Sequence, residues 1–226
     1  MRIDFFMILF VLLGEPKIAL AEVGFHMHAG YSPLGQLVGE NSTTDINTVF
    51  TSTAAEYRMP ISSALTVGAG AAFNLSYLQF QREKMDYVGT YNSVGVSTAI
   101  FYTLASNYSL VLHAESLLLP KLTVKTNSET RVNDVTLKQS QLTTYQNGQG
   151  VLTRLAFIHS LDNGRSRKNL PVVFGLSVDL LKQPFSKSTV KTNVNLRNVG
   201  ARNDVSNTGQ YQMSYLGIGL RVSISL

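Results

Sequence analysis

The chain has 226 residues, 44% of them hydrophobic and only 15% charged, with a net charge of +5, no cysteine and no tryptophan. That length accommodates one large β domain or two small ones, and the absence of cysteine excludes a disulfide framework, a thiolate metal site and a catalytic thiol. The charged fraction falls well below the usual quarter or so, and Ser, Thr, Asn and Gln fill the gap. This composition suits either a soluble β domain or a protein whose apolar surface meets lipid, and it gives no reason to expect a nucleic-acid partner.

The N-terminus reads as an export signal. "MRID" is followed by nine apolar residues, Phe5–Leu13, then by "GEPKIALA". Nine residues suit a signal-peptide core and are too few to span a bilayer as a helix. Ala19–Ala21 supplies the small-x-small cleavage pattern, so residues 1–21 are expected to be a signal peptide and 22–226 the mature domain.

Beyond residue 22 the dominant signal is period two. Val23, Phe25, Met27, Ala29 and Tyr31 alternate with Gly24, His26, His28 and Gly30. In Ala64–Leu78 one face carries Leu65, Val67, Ala69, Ala71, Phe73, Leu75 and Tyr77; the other carries Thr66, Gly68, Gly70, Ala72, Asn74 and Ser76. The same alternation runs through Val94–Leu104, Val172–Leu181 and Leu216–Leu226, and more weakly through Thr48–Met59, Leu110–Leu119 and Val151–Ser160. A soluble sandwich carries long charged side chains on its polar face. Here that face is small and nearly uncharged, as the inside of a narrow barrel requires, leaving the apolar face for lipid.

The spacing predicts eight strands, each near the length a tilted strand needs to cross a bilayer. Connections expected to be long, at Ser32–Asn47, Gln81–Asn92, Lys121–Gly150 and Gln183–Gly209, alternate with shorter ones at Pro60–Ser63, Ala105–Ser109 and Leu161–Asn169. That is the pattern of an up-and-down meander with short periplasmic turns and long outer loops.

In this pattern, over Glu22–Leu226, the chain resembles the small eight-stranded outer-membrane β-barrels of the OmpA/OmpX architectural type. The resemblance implies an all-β, antiparallel transmembrane barrel in the outer membrane of a Gram-negative-type cell. It also implies recognition of the last strand by the barrel-assembly machinery, although this chain ends on Leu226 rather than an aromatic residue. With no tryptophan, Tyr31, Tyr57, Tyr77, Tyr91, Tyr102, Tyr108, Tyr211 and Tyr215 are the candidates for an interfacial girdle.

On this strand assignment Glu56, Arg58, His113, Glu115, Arg154, Asp179 and Arg221 point inward. Buried charges must pair, and an eight-stranded interior has room for side chains but not for a water column. A salt-bridged plug is therefore expected, with Glu115 and Arg154 as one pair. The alternative is a narrow porin-like channel for small or hydrophobic solutes. A third possibility, a lipid A-modifying enzyme, draws on His159, Ser160 and Asp162. However, adjacent strand residues face opposite ways, and no nucleophile motif or paired-carboxylate arrangement supports it. His26, His28 and His113 lack metal-ligand spacing, and no cofactor is expected.

The loop charges differ in sign. Lys121, Lys125, Arg131 and Lys138 face Glu129 and Asp134 for a net +2, and Lys187, Lys191, Arg197 and Arg202 face Asp204 for a net +3. The first loop, with Glu40 and Asp45, carries −2. The basic loops are candidate contacts for lipopolysaccharide phosphates or acidic surface polymers, giving a non-enzymatic surface barrel for envelope integrity or adhesion. The pentapeptide "TVKTN" stands in both basic loops, at Thr123–Asn127 and Thr189–Asn193. Its alternation predicts that each loop begins as extended ribbon; the two hairpins that carry it look like versions of one unit, and chance is an equal alternative, because Thr, Val and Asn are ordinary in a β-ribbon that protrudes into water.

Overall fold

The computed structural model describes residues 22–39, 42–82, 85–132, 135–160, 172–196 and 199–225. The expected signal peptide, the whole Leu161–Asn169 connection, Glu40, Asp134, Arg197 and Leu226 lie outside the described residues.

The described residues form nine antiparallel strands: β1 (Glu22–Val38), β2 (Thr43–Pro60), β3 (Leu65–Arg82), β4 (Met85–Ala105), β5 (Tyr108–Val132), β6 (Val135–Gln146), β7 (Gly150–Ser160), β8 (Val172–Leu196) and β9 (Val199–Ser225). Each pairs with its neighbours and β1 pairs with β9, so the sheet closes on itself as a ring. Nine strands stand where eight were expected, because β6 lies in the stretch read as an outer loop. β6 and β7 follow one another between the same two neighbours, β5 and β8. They are separated only at 147–149, where Asn147 and Gly148 take positive φ values of 60° and 153°. Leu119 on β5, with φ 50°, breaks the ladder at the same level.

The other expected loops are also largely strand. β1 runs to Val38 and β2 starts at Thr43, β3 runs to Arg82 and β4 starts at Met85, and β8 runs to Leu196 and β9 starts at Val199. The apolar alternation stops below these segments, but backbone pairing needs no apolar face, so polar ribbons continue the ladder.

Inward-facing partners around the ring run Gly24, Glu56, Gly70, Ser97, Glu115, Leu152, Leu181 and Tyr215, and return to β1 at Gly35. The return is eleven residues above the start, one of them the extra residue of a bulge between Tyr31 and Leu34. Such stagger tilts the strands and sets a bore that side chains fill. β1 pairs with β9 no higher than Val38–Gln212, whereas β9 pairs with β8 up to Val199. Above the closed section, β5, β6, β8 and β9 therefore continue as a projecting sheet whose β9 side is an edge.

The faces are inverted relative to a water-soluble fold. Phe25, Met27, Phe73, Leu75, Val96, Ile100, Leu112, Leu155, Phe157, Leu176, Val178, Ile218 and Leu220 are exposed on the outside. Tyr31, Tyr57, Tyr77, Tyr102 and Tyr108 are exposed with them. Tyr91 and Tyr215, expected in the girdle, are instead buried at 0% and 4% exposure, and Tyr211 is half-buried against the same interior cluster. Their parity decides it: Tyr215 precedes the outward Leu216, so it faces in.

Candidate functional site

The interior is layered, and each strand contributes to the layers in the same order. With the end carrying the short turns taken as the bottom, β2 presents Arg58, Glu56, Ala54, Ser52, Phe50, Thr48 and Ile46 inward from bottom to top. β9 presents Ser223, Arg221, Gly219, Gly217, Tyr215 and Met213. The bottom layer is small and apolar, with Ala99, Val111, Ala156 and Ile158 packed against Phe101 and Val173. The Arg58 guanidinium lies 4.5 Å from the Phe101 ring centre.

Charges occupy the middle layer, and all seven predicted inward residues are buried there. Arg154 holds the centre. Its Nε donates to Asp179 Oδ2 at 2.9 Å, its Nη1 to Glu115 Oε1 at 3.4 Å and its Nη2 to Ser52 Oγ at 3.1 Å. Asn74 Nδ2 donates to the other Glu115 oxygen at 2.7 Å. Glu56 gathers the second group: His113 Nε2 at 2.8 Å, Arg58 Nη2 at 3.5 Å, His26 Nδ1 at 3.6 Å and Arg221 Nη2 at 3.9 Å. His113 joins the groups, with Nδ1 3.4 Å from Glu115 Oε1. Three arginines thus face three carboxylates.

Sequence reasoning placed His26 and His28 on the inward face but did not join them to the network. His28 lies between Ser177 and Asp179, with Nε2 2.6 Å from Ser177 Oγ and Nδ1 3.4 Å from Asp179 Oδ2. Ser52, Asn74 and Ser177 were also missed, though they share the parity of Glu56, Gly70 and Asp179. The inward glycines make this packing possible. A Cβ at Gly24 would meet the Arg58 guanidinium, and one at Gly219 would meet the His28 ring.

The upper layer is an apolar plug of Leu37, Ile46, Phe50, Leu78, Phe80, Tyr91, Leu117, Leu122, Val124, Leu152, Leu181, Phe185, Met213 and Tyr215. Phe50 caps the charged layer, its ring stacked 5.5 Å from His28 below and 4.9 Å from Tyr215 beside it. Tyr91 donates to Gln183 Oε1 at 3.0 Å, and Gln183 Nε2 donates to the Pro184 carbonyl at 2.7 Å, which pairs these two side chains at the plug.

Two chemical readings of these residues meet the geometry directly. His26, Glu56 and His113 place ligand atoms within 4.8 Å of one another, a set that resembles a three-ligand zinc site. The same Glu56 already faces Arg58 and Arg221, and Arg221 Nη2 lies 3.1 Å from His26 Nδ1. A cation entering there meets two guanidinium charges, so the cluster is better suited to ion pairing than to metal. Ser177, His28 and Asp179 bring together the residue types of a hydrolase, but Ser177 Oγ donates to Asp179 Oδ1 at 2.9 Å and is buried beneath the plug. At the bottom rim His159 Nδ1 lies 3.1 Å from the Asn107 carbonyl oxygen. Asp162 lies outside the described residues.

Of the predicted basic contacts, Lys121, Lys125, Lys187 and Lys191 are exposed on the outer face of β5 and β8. Lys138 pairs with Glu129 at 3.8 Å, and Arg202 donates to both oxygens of Asp204 at 3.2 and 3.0 Å. Those bonds raise the Arg202 guanidinium and hold the Asp204 carboxyl below its ordinary range. Arg131 falls on β5.

No known family pattern matches the chain, and no curated protein matches it in sequence. The solved structures similar to it include an outer-membrane channel of Pseudomonas putida F1, at 6% identity and TM-score 0.34, covering 94% of this chain and 99% of that one. The β domain of the Bordetella autotransporter BrkA matches at 10% identity and TM-score 0.30, covering 90% and 99%. The P. putida toluene transporter TodX matches at 7% and 0.22, covering 95% and 91%. Similarity this low assigns the chain to none of these groups.

Proposed function

We propose that this chain is an integral outer-membrane β-barrel, spanning lipid with its closed section, sealed inside, and acting without catalysis through its outer surface. The observation that carries the reading is the inversion of its faces, an apolar exterior around a filled, charged interior. In water, that exterior would be a continuous apolar patch far larger than soluble monomers expose. In a bilayer it is what lipid requires, and a closed sheet leaves no backbone group unpaired there. From Tyr108 to Leu118 the outward face of β5 covers about 25 Å along the membrane normal at the usual strand tilt, the height of a barrel's apolar band.

The layered interior favours a sealed barrel over a narrow channel. A conducting path must cross an apolar plug, a layer of paired charges and a second apolar layer in turn. The projecting sheet and the basic side chains then carry the outward role, in envelope integrity or surface contact. A refolded Glu22–Leu226 chain is expected to insert into vesicles, to shift in gel mobility on heating, and to give no discrete conductance steps in a planar bilayer. Reproducible steps from folded protein would promote the channel instead, and a chain that stays soluble without detergent would remove the membrane reading.

A further inference from the structure

The repeated pentapeptide is the core of a longer repeat, Lys121–Asn127 (KLTVKTN) and Lys187–Asn193 (KSTVKTN). The fold sets the two copies in register on either side of β6. Gln146 pairs with both Lys121 and Lys187, Thr144 with Thr123 and Thr189, Leu142 with Lys125 and Lys191, and Ser140 with Asn127 and Asn193. β5 and β8 run parallel across the antiparallel β6, so each residue of one copy lies opposite its equal in the other.

Alternation then divides the repeat. Leu122, Val124 and Thr126 of the first copy are buried on the inner face, as is Ser188 of the second. The Lys, Thr, Lys, Asn series of both copies lies on the outer face, with all four lysines exposed. With neighbouring strands about 4.8 Å apart and about 3.4 Å per residue, the lysines form a grid roughly 10 Å wide and 13 Å tall. Among the described residues none of the four forms an ion pair. Asp204, the register partner of Lys191, is held by Arg202.

The position of the grid identifies its partner. Its lower row, Lys121 and Lys187, sits just above exposed Leu118 and Leu119 on β5 and Leu180 on β8, with Lys182 between them on β8. The lysines continue the lipid-facing side of the sheet, so they project sideways from its wall rather than from the tip of the projecting sheet. At that height the surrounding medium is the headgroup layer. We propose that the Lys121, Lys125, Lys187 and Lys191 grid binds the phosphate groups of an anionic glycolipid in the outer leaflet. This rests on the membrane-spanning reading above. Multiple lysines act as point charges on phosphate, and the repeated segment supplies them in matching pairs.

The test uses the refolded chain in zwitterionic phospholipid vesicles doped with a diphosphorylated glycolipid, with glycolipid enrichment around the protein read by energy transfer from a labelled lipid. Wild type is expected to enrich the glycolipid, with enrichment falling as salt rises and with no enrichment of the dephosphorylated form. Each lysine-to-alanine change is expected to weaken binding roughly fivefold, and the K121A/K125A/K187A/K191A variant to abolish enrichment. Lys138→Ala, whose charge is already paired, should change little. Equal enrichment by wild type and the fourfold variant, equal binding of the dephosphorylated lipid, or displacement by millimolar inorganic phosphate overturns the proposal. Protease protection of the same preparation separates the two levels. A chain that fails to insert overturns the membrane reading together with this proposal, whereas one that inserts without enriching the glycolipid overturns this proposal alone.

Discussion

Arg154 and Asp179 sit opposite each other on β7 and β8, and the 2.9 Å bond between Nε and Oδ2 is the shortest of the three that fix the guanidinium. Both residues are fully buried, so neither charge has water to fall back on. Removing one partner of such a pair strands the other and costs about 3–5 kcal/mol, whereas replacing both with apolar groups of similar size can be neutral. Arg154→Met is therefore expected to destabilise the folded chain by that amount. Adding Glu115→Leu and Asp179→Leu should recover a large part of the loss. Denaturant unfolding in vesicles, followed by gel mobility, measures both. Additive losses across the three changes would mean that the layer is not coupled.

The inward glycines test the packing from the opposite direction. Gly219 faces His28 at a point where any side chain meets the imidazole, and the backbone carbonyl of Ala29 lies close by. Gly219→Val is expected to cost about 1–3 kcal/mol through overpacking. Leu220→Val, one residue along and facing outward, should be nearly silent. Equal effects at the two positions would contradict the assignment of inside and outside on β9.

That assignment was largely legible in the sequence, because in a strand parity alone separates the two faces. Once Glu56 and Gly70 are set inward, Ser52 and Asn74 follow, and once Leu216 is set outward Tyr215 must enter the plug. Choosing tyrosines for a girdle by chemistry rather than parity misplaced Tyr91 and Tyr215. The contacts themselves were harder to read. Glu115 lies level with Leu152 on β7 rather than with Arg154, and they meet only because Arg154 reaches across. Ser177 and His28 are 149 residues apart and meet only because the ring closes with a particular stagger. β6 was hidden for another reason. "VTLKQSQLTTYQ" has no apolar face to reveal a period, and it forms a strand because β5 and β8 offer it partners on both sides.

The outward face can be tested independently of the interior. Leu112 is exposed near the middle of the apolar band. An arginine on the lipid face near the midplane costs about 2–4 kcal/mol, falling to nearly nothing at the interface. Leu112→Arg is expected to destabilise the vesicle-inserted chain by that amount. Leu119→Arg, beside the lysine grid, should be tolerated far better. A flat response along β5 would mean that no lipid surrounds it.

The rim break at Asn147–Gly148 gives the last prediction. Gly148 holds a φ of 153°, and a Cβ there would collide with the Pro184 carbonyl on β8. Asn147 accepts a bond from the Ser186 amide at 2.7 Å, which ties β8 to the break. The level matters because it joins the closed section to the projecting sheet and sets the height of the lysine rows above the apolar band. Gly148→Ala combines backbone strain with a backbone clash, so it is expected to cost about 1–3 kcal/mol. The loss should appear first in the projecting sheet, as faster amide exchange in β6 and the upper half of β8, while the charged layer below stays protected. Uniform exchange through both sections would show instead that the chain opens as one unit, and that the break does not divide it.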